Sequence, residues 1–101
     1  MKRILLCCAA GMSTSMVVNR MKQAALVQQI DVEIKAVGLE EFTDEMPGYD
    51  CCLLGPQIKY RLEDFRAQAA PKQIPVTVIN SMDYGMMRGD KILADALALI
   101  A

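Results

Sequence analysis

The sequence contains no histidine. This absence excludes Ser-His and Cys-His catalysis, acid–base chemistry by an imidazole, and a phosphohistidine carried on this chain. Any histidine that its reaction needs must therefore belong to a partner. The four cysteines form two adjacent pairs, Cys7-Cys8 and Cys51-Cys52, which lack the C-x-x-C spacing of a zinc knuckle. We expect neither a metal nor a cofactor.

Neither sign of charge is in excess, and no long apolar run is present. A net charge of −1 over 101 residues gives no electrostatic reason for nucleic-acid binding. No stretch reaches the roughly 20 apolar residues that span a bilayer, and the N-terminus has too short an apolar region for a secretory signal. Without export, a disulfide framework is not expected. The composition predicts one cytoplasmic domain, residues 1–101, that does not bind nucleic acid.

Apolar segments alternate with segments of helical periodicity along the chain. The predicted strands cover 2–8, 32–37, 51–54 and 74–79, and the predicted helices cover 13–28, 39–46, 57–69 and 90–100, with a loop at 80–85. Apolar and charged residues alternate in the second strand, which is typical of an edge strand. Alternating strands and helices imply right-handed crossovers. We therefore predict an α/β fold with a four-stranded parallel open sheet flanked by helices on both faces.

One short stretch, Cys8-Ala-Ala-Gly-Met-Ser-Thr-Ser15, has the composition of a ligand-binding turn. It follows the first predicted strand and leads into the first helix, whose opening turn leaves backbone N–H groups unpaired at the positive end of the helix dipole. Such a turn binds anions, most often phosphate. The same donors favour the reactive thiolate form of a cysteine. The predicted phosphate-binding residues are Ala9, Ala10, Gly11, Met12, Ser13, Thr14 and Ser15, with Cys8 as the nucleophile.

Ligands of open parallel sheets bind outside the carboxyl ends of the strands, where the strand order reverses. If the first strand lies between the second and third, residues 8–15, 55–57 and 80–84 form that crevice. Gln57 and Tyr84 would then face it. Each also has a plain structural interpretation that is equally consistent with the sequence, because Gln57 fits a first helical turn and Tyr84 fits a loop aromatic.

The other three cysteines are expected to be packing residues. Cys7 precedes Cys8 in a strand, so its side chain points to the opposite face of the sheet. Cys51 and Cys52 lie inside an apolar strand and should be inert. A free cysteine at the end of a strand is most often a small buried residue, but the turn that follows Cys8 strongly favours a functional thiol.

Three motifs together resemble the IIB component of the lactose/cellobiose (N,N'-diacetylchitobiose) family of the bacterial sugar phosphotransferase system. They are the stretch from Cys8 to Ser15, the run Leu-Leu-Gly-Pro-Gln-Ile at 53–58 followed by Tyr60, and the pair Tyr84-Gly85. The resemblance covers nearly the whole chain. It implies a fold similar to that of low-molecular-weight tyrosine phosphatases. It also implies that Cys8 is the phosphorylated residue and that Ala9 to Ser15 form the phosphate loop.

The same resemblance implies a phosphotransferase and its partners. Cys8 would accept a phosphoryl group from a phosphohistidine of the IIA protein and pass it to a sugar held by the membrane IIC permease. The sugar would be a β-linked disaccharide of the cellobiose, chitobiose or lactose class, and the chain would meet the inner face of the membrane transiently through IIC. Met12, Met82, Met86 and Met87 are candidates for an adaptable apolar patch that these partners contact.

Two alternative functions stay open on the sequence. Tyrosine phosphatases of similar architecture carry C-x5-R-[ST], but Thr14 stands at the arginine position, Ser15 follows it, and no Asp-Pro pair supplies a general acid. A phosphocysteine here should therefore be stored rather than hydrolysed. The second alternative is a redox sensor, in which an exposed Cys8 thiolate would be oxidised, although no resolving cysteine follows at thioredoxin spacing.

Overall fold

The computed structural model describes the backbone of residues 1–8 and 11–100 and the side chains of residues 1–8 and 15–100. Within these residues four strands alternate with helices. The strands are β1 (Lys2–Cys7), β2 (Val32–Val37), β3 (Cys51–Leu54) and β4 (Val76–Val78). The α-helices are α1 (Gly11–Val27), α2 (Phe42–Glu45), α3 (Leu62–Ala69), α4 (Ser81–Gly85) and α5 (Gly89–Ile100). Short 3-10 turns occupy Leu39–Glu41, Met46–Gly48, Pro56–Arg61 and Ala70–Lys72.

The strands form one parallel sheet in the order β2-β1-β3-β4. Cys7, the last residue of β1, pairs with Val37 of β2 on one side and Leu54 of β3 on the other. The strand order therefore reverses at β1, and β2 is an edge strand. The structure confirms the predicted four-stranded parallel sheet, and it places the switch point at the strand that leads into Cys8.

Each face of the sheet carries its own core, because successive residues of β1 point to opposite faces. Ile4 and Leu6 join the core formed with α1 and α5, whereas Leu5 and Cys7 join the core formed with α2 and α3. In the second core the Phe42 and Phe65 rings are stacked with centroids 4.0 Å apart. Helices thus cover both faces, as the alternation of elements predicts.

Helices α1 and α5 touch through their backbones at one point. A Cβ atom added to Gly89 would lie 2.4 Å from the carbonyl carbon of Arg20 and 2.6 Å from its oxygen. Residue 89 is buried and in the first turn of α5, so only glycine allows the two helices to approach this closely. This contact fixes α5 against the middle of α1.

Four predicted segments differ from the structure. The segment 39–46 is not one helix, because Leu39–Glu41 is a 3-10 turn, α2 covers only Phe42–Glu45, and Met46 begins a second 3-10 turn. The segment 57–69 is not one helix, because Ile58, inside the 3-10 turn Pro56–Arg61, adopts the non-helical angles φ −117° and ψ 25° before α3 begins at Leu62. Strand β4 is shorter than 74–79 and covers Val76–Val78. The predicted loop at 80–85 was wrong, since Ser81–Gly85 is helical with Asn80 as its N-cap.

Among the helices of the described residues, none combines the length and the apolar composition that crossing a bilayer requires.

Candidate functional site

Cys8 lies at the switch point of the sheet, immediately after β1 and three positions before the start of α1 at Gly11. Its backbone N–H donates to the carbonyl of Val37 at 3.2 Å, which continues the β1–β2 pairing and fixes the residue at the carboxyl edge. The first turn of α1 contains no acidic residue. An anion beside Cys8 would therefore meet the positive end of this helix without a competing carboxylate in that turn.

Part of the predicted phosphate loop lies outside the described residues. These positions are Ala9 and Ala10, together with the side chains of Met12, Ser13 and Thr14. The backbone of α1 is described from Gly11 onwards, and Ser15 is exposed in its second turn. Ser15 lines a groove of about 300 Å³ between α1 and β2 together with Lys22 and Lys35. The role of residues 9–15 in binding phosphate stays a prediction.

Tyr84 lies beside the thiol. Its hydroxyl oxygen is 3.7 Å from Cys8 Sγ, within a sulfur hydrogen bond, and either atom could be the donor. Both residues are buried, with 4% of Cys8 and 7% of Tyr84 exposed. The two side chains belong to the same apolar cluster as Val17 and Ile79. The structure therefore brings Tyr84 to the predicted nucleophile across 76 positions of sequence.

The position of Tyr84 follows from α4 and its cap. The Asn80 side-chain oxygen accepts hydrogen bonds from the backbone N–H groups of Met82 at 2.9 Å and Asp83 at 3.1 Å. This is the contact by which an N-cap residue satisfies the unpaired donors of a helix start. Ile79, just before the cap, donates its N–H to the Leu54 carbonyl at 2.8 Å, which ties α4 to the end of the sheet.

Gly55 and Gln57 form another side of the site. The N–H of Gly55 donates to the Cys7 carbonyl at 2.9 Å. A Cβ atom at position 55 would lie 2.5 Å from Cys8 Sγ and 2.6 Å from Gln57 Oε1, so the thiol and the amide are close neighbours around one point. Gln57 is otherwise exposed at the start of the 3-10 turn that follows Pro56. The loop after β3 thus supplies both the space for the sulfur and a polar group next to it.

The burial of Cys8 corrects one expectation. The redox interpretation assumed an exposed thiol, but only 4% of Cys8 is accessible, and Gly55 and Tyr84 are among the residues that lie beside its sulfur. At 4% exposure, access of a phosphoryl donor or acceptor to Sγ requires a local movement around Cys8.

The remaining cysteines are buried packing residues, as predicted. The Cys7 thiol points to the opposite face of the sheet from Cys8 and donates to the Gly38 carbonyl at 3.6 Å. Burial, as the main cause, raises the pKa of Cys7, Cys51 and Cys52 from 9.0 to about 12 each. These three thiols are neutral at physiological pH and therefore poor nucleophiles.

Two of the four methionines proposed for a partner surface are well exposed. Met82 on α4 is 63% exposed and Met86, directly after α4, is 61% exposed. Met87 is partly buried against the core that contains Cys8 and Tyr84, and the side chain of Met12 lies outside the described residues. In the part of the chain that the structure describes, no group of three or more acidic or cysteine side chains is arranged to hold a metal ion.

The site has three features that the sequence pattern did not reveal. They are the helical state of 81–85, the close approach of Gly55 to Cys8 Sγ, and the contact between Tyr84 and that sulfur. Asn80 is the one available signal, because asparagine is among the best N-cap residues and stands directly before Ser81. The two contacts depend on tertiary structure and have no local signature.

Comparison with known proteins agrees with this geometry. The family model for the lactose/cellobiose-specific IIB subunit of the phosphotransferase system matches residues 3–95. The oligo-beta-mannoside-specific EIIB component of Bacillus subtilis strain 168 is 40% identical, and the match covers 99% of this chain and 97% of that protein. The galactose-specific EIIB component of Lactococcus lactis subsp. cremoris and the cellobiose-specific EIIB component of Lactococcus lactis subsp. lactis are each 42% identical, over 94% of this chain and 93% of theirs.

Solved structures show the same architecture. The cellobiose-specific IIB component of Borrelia burgdorferi superposes with a TM-score of 0.82 at 36% identity, covering 98% of this chain and 91% of that one. The lactose-specific IIB domain of Streptococcus pneumoniae gives a TM-score of 0.89 at 20% identity, over 99% of this chain and 98% of that chain, and shows the fold alone. This is the fold that IIB domains share with low-molecular-weight tyrosine phosphatases. The chain therefore belongs to the lactose/cellobiose-specific IIB subunits of the sugar phosphotransferase system.

Proposed function

We propose that this chain is a phosphoryl carrier in which Cys8 is phosphorylated and dephosphorylated in turn. In the first step a lone pair of the Cys8 thiolate forms a P–S bond with the phosphoryl group of a IIA phosphohistidine. The P–N bond breaks, and its electron pair returns to the imidazole. In the second step a sugar hydroxyl displaces the sulfur. The observation that carries the proposal is the position of Cys8 between the end of β1 and the start of α1.

Physical chemistry supports this assignment. Phosphoryl transfer needs an in-line nucleophile and hydrogen-bond donors for the equatorial oxygens, and it is catalysed mainly by positioning and electrostatics. The backbone donors at the start of α1 and the positive end of its dipole suit both a thiolate and a phosphoryl group. Ala9 to Ser15 are the proposed phosphate loop, and Gln57 and Tyr84 are the proposed walls of the crevice.

The partners follow from the chemistry and from the family. The sequence has no histidine, so the phosphohistidine donor belongs to a IIA protein. The acceptor is a sugar held by the membrane IIC permease, which brings the carrier transiently to the cytoplasmic face of the membrane. The related EIIB components are specific for oligo-beta-mannosides, galactose and cellobiose. A β-linked disaccharide is the sugar class that we propose.

The proposal is tested by incubating the protein with phosphorylated IIA and mapping the phosphorylated residue by intact-mass and peptide mass spectrometry. We expect wild type to be labelled at Cys8 and both Cys8→Ser and Cys8→Ala to remain unlabelled, because no other thiol lies at the start of α1.

Cys7→Ala is the matched control, since its side chain points to the opposite face of the sheet. It should be labelled as wild type is, with circular dichroism confirming that it is folded. Labelling of Cys8→Ala at the wild-type level would overturn the assignment. Addition of membranes that contain IIC permeases for cellobiose, lactose or β-mannosides, each with its sugar, then identifies the acceptor.

A further inference from the structure

We infer that the Tyr84 hydroxyl donates a hydrogen bond to the charged Cys8 sulfur and thereby makes this sulfur a better leaving group in the transfer to sugar. The inference rests on the proposed function for the transfer step. The stabilisation of the thiolate itself is independent of any partner. The observation behind it is the 3.7 Å contact between the hydroxyl and Sγ inside a buried cluster.

The structure holds the hydroxyl in place from two directions. The Tyr84 ring packs in the core with Val17 and Ile79, and the backbone N–H of Tyr84 donates to the Asn80 carbonyl at 2.9 Å. Because the Tyr84 side chain is already ordered by this packing, little further conformational entropy is lost when its hydroxyl bonds to the sulfur. A tyrosine at a loop tip without this packing would not remain in contact with one atom.

Burial determines what this contact does chemically. A neutral thiol and a hydroxyl form only a weak hydrogen bond, but a hydrogen bond to an ionised acceptor is about twice as strong as a neutral one. The surroundings strengthen it further because water is largely excluded from a cluster in which Cys8 is 4% and Tyr84 is 7% exposed. A donor that bonds the charged form more strongly than the neutral form favours ionisation.

The contact matters most when phosphate leaves. An oxygen of the sugar hydroxyl forms a bond to phosphorus while the P–S bond breaks, and the electron pair of that bond remains on Cys8 Sγ. The hydroxyl proton passes to a basic group of the permease that holds the sugar. Negative charge thus develops on Sγ in the transition state, and the Tyr84 hydroxyl lies where it can stabilise that charge.

The test compares Tyr84→Phe with wild type. Phenylalanine retains the buried ring and removes only the oxygen. The readout is the rate of alkylation of Cys8 by iodoacetamide as a function of pH, followed by intact-mass spectrometry, with Cys8→Ala giving the background from the buried thiols. We expect the pH of half-maximal reactivity to rise and the rate at neutral pH to fall about tenfold, which is the loss expected for a hydrogen bond to a charged group.

The shape of the pH profile separates the hydroxyl's effect from simple covering of the thiol. Better access would raise the plateau at high pH without moving its midpoint, whereas loss of the donor moves the midpoint. Tyr60→Phe is the matched control. Tyr60 lies in the 3-10 turn that follows β3, but its side chain is 72% exposed. This variant should leave the profile unchanged. Site-specific 3-fluorotyrosine at position 84 retains the hydroxyl and makes it more acidic, so it should lower the midpoint.

An unchanged midpoint in both Tyr84→Phe and the fluorinated protein would overturn the inference. The same variants are assayed for release of phosphate from Cys8 to sugar, where Tyr84→Phe should be about tenfold slower. If phosphorylated IIA labels wild type and the midpoint does not move, the proposed function stands and this inference fails. If the midpoint moves but no IIA labels the protein, the hydroxyl acts on the sulfur as inferred and the carrier function fails.

Discussion

At the scale of single residues, the site depends on a position that has no side chain. Gly55 adopts φ −61°, a value that any residue can take, so it is not required for backbone conformation. It is required for space, because Cys8 Sγ and Gln57 Oε1 both lie within 2.6 Å of where a Cβ would be. The same loop therefore determines where the sulfur can sit and which polar group is next to it.

Replacing Gly55 with alanine should displace the sulfur. We expect Gly55→Ala to slow phosphorylation by IIA at least about tenfold and to lower the free energy of unfolding by about 1–3 kcal/mol, the usual cost of overpacking. Quench-flow labelling and urea denaturation measure the two effects. Gly85→Ala is the control, because a Cβ there would meet nothing within 4 Å. A Gly55→Ala protein that is labelled as fast as Gly85→Ala would show that the close approach does not matter.

At the scale of secondary structure, α4 carries the aromatic wall of the site on only five residues. A helix this short has no intrinsic stability and depends on its cap and its tertiary contacts. Asn80 provides the cap, and the Asp83 carboxylate, which is buried, lies 3.7 Å from the Arg88 guanidinium just after the helix. The orientation of Tyr84 thus depends on the residue that starts the helix.

Removing this cap should loosen α4. We expect Asn80→Ala to lower the free energy of unfolding by about 1 kcal/mol, since two backbone donors lose their acceptor. Asn80→Asp retains a side-chain acceptor and should restore most of this stability. Urea denaturation of the three proteins measures the differences. Equal stability of wild type and Asn80→Ala would mean that the tertiary contacts of Tyr84 hold α4 without its cap.

The elements that the sequence predicted correctly are those with a local periodic signal. Buried parallel strands appear as continuous apolar runs, and α1 and α5 show an apolar stripe over 17 and 12 residues. Helix α4 is too short for such a stripe, and Ile58 interrupts the helical pattern after β3 by its backbone angles alone. Neither the five-residue helix nor the break at Ile58 produces a repeating apolar pattern from which it could be predicted.

In the candidate site too, the residues that are adjacent in sequence were predictable, whereas the contacts between distant residues were not. Cys8 and the small residues after it stand next to each other in the chain, so a strand, a turn and a helix start are sufficient to predict them. The burial of its sulfur requires Gly55 from the loop after β3 and Tyr84 from α4, and Tyr84 is 76 positions away. Topology brings the loop after β3 and the start of α4 to one edge of the sheet, but it does not specify which atoms touch.

At the scale of the whole molecule, the two cores contain three neutral thiols. Cys51 lies in the core with α1 and α5, and Cys7 and Cys52 lie in the core with α2 and α3. Burial is the main cause that raises each pKa from 9.0 to about 12. The folded protein therefore binds more protons than the unfolded chain between these two values.

Stability should consequently depend on pH in the alkaline range. The contribution of the buried thiols is complete below about pH 9 and is lost as the pH rises toward about 12, because the unfolded chain ionises first. We expect the free energy of unfolding to fall by a few kcal/mol, on the order of 1 kcal/mol or more for each thiol. Urea denaturation at a series of pH values measures it.

Lysine and tyrosine side chains also ionise in this pH range. Comparing Cys52→Ala with wild type separates the contribution of the Cys52 thiol from theirs. This variant is less stable than wild type at neutral pH, because it loses buried volume. Its stability should nevertheless fall less steeply between pH 9 and pH 12. Parallel curves for the two proteins would show that ionisation of Cys52 does not contribute.

The contact of Gly89 with Arg20 has a mechanical consequence for the chemistry. Helix α1 behaves as a stiff rod of 17 residues, about 25 Å long, and Arg20 lies about 14 Å along it from the end that meets Cys8. A tilt of about 4° around that contact would move the amide end of the rod by about 1 Å, and a misplacement of about this size can slow a reaction by about two orders of magnitude. If Cys8 is phosphorylated as proposed, the geometry of that step therefore depends partly on Gly89 of α5, whose contact with Arg20 is the point about which α1 would tilt.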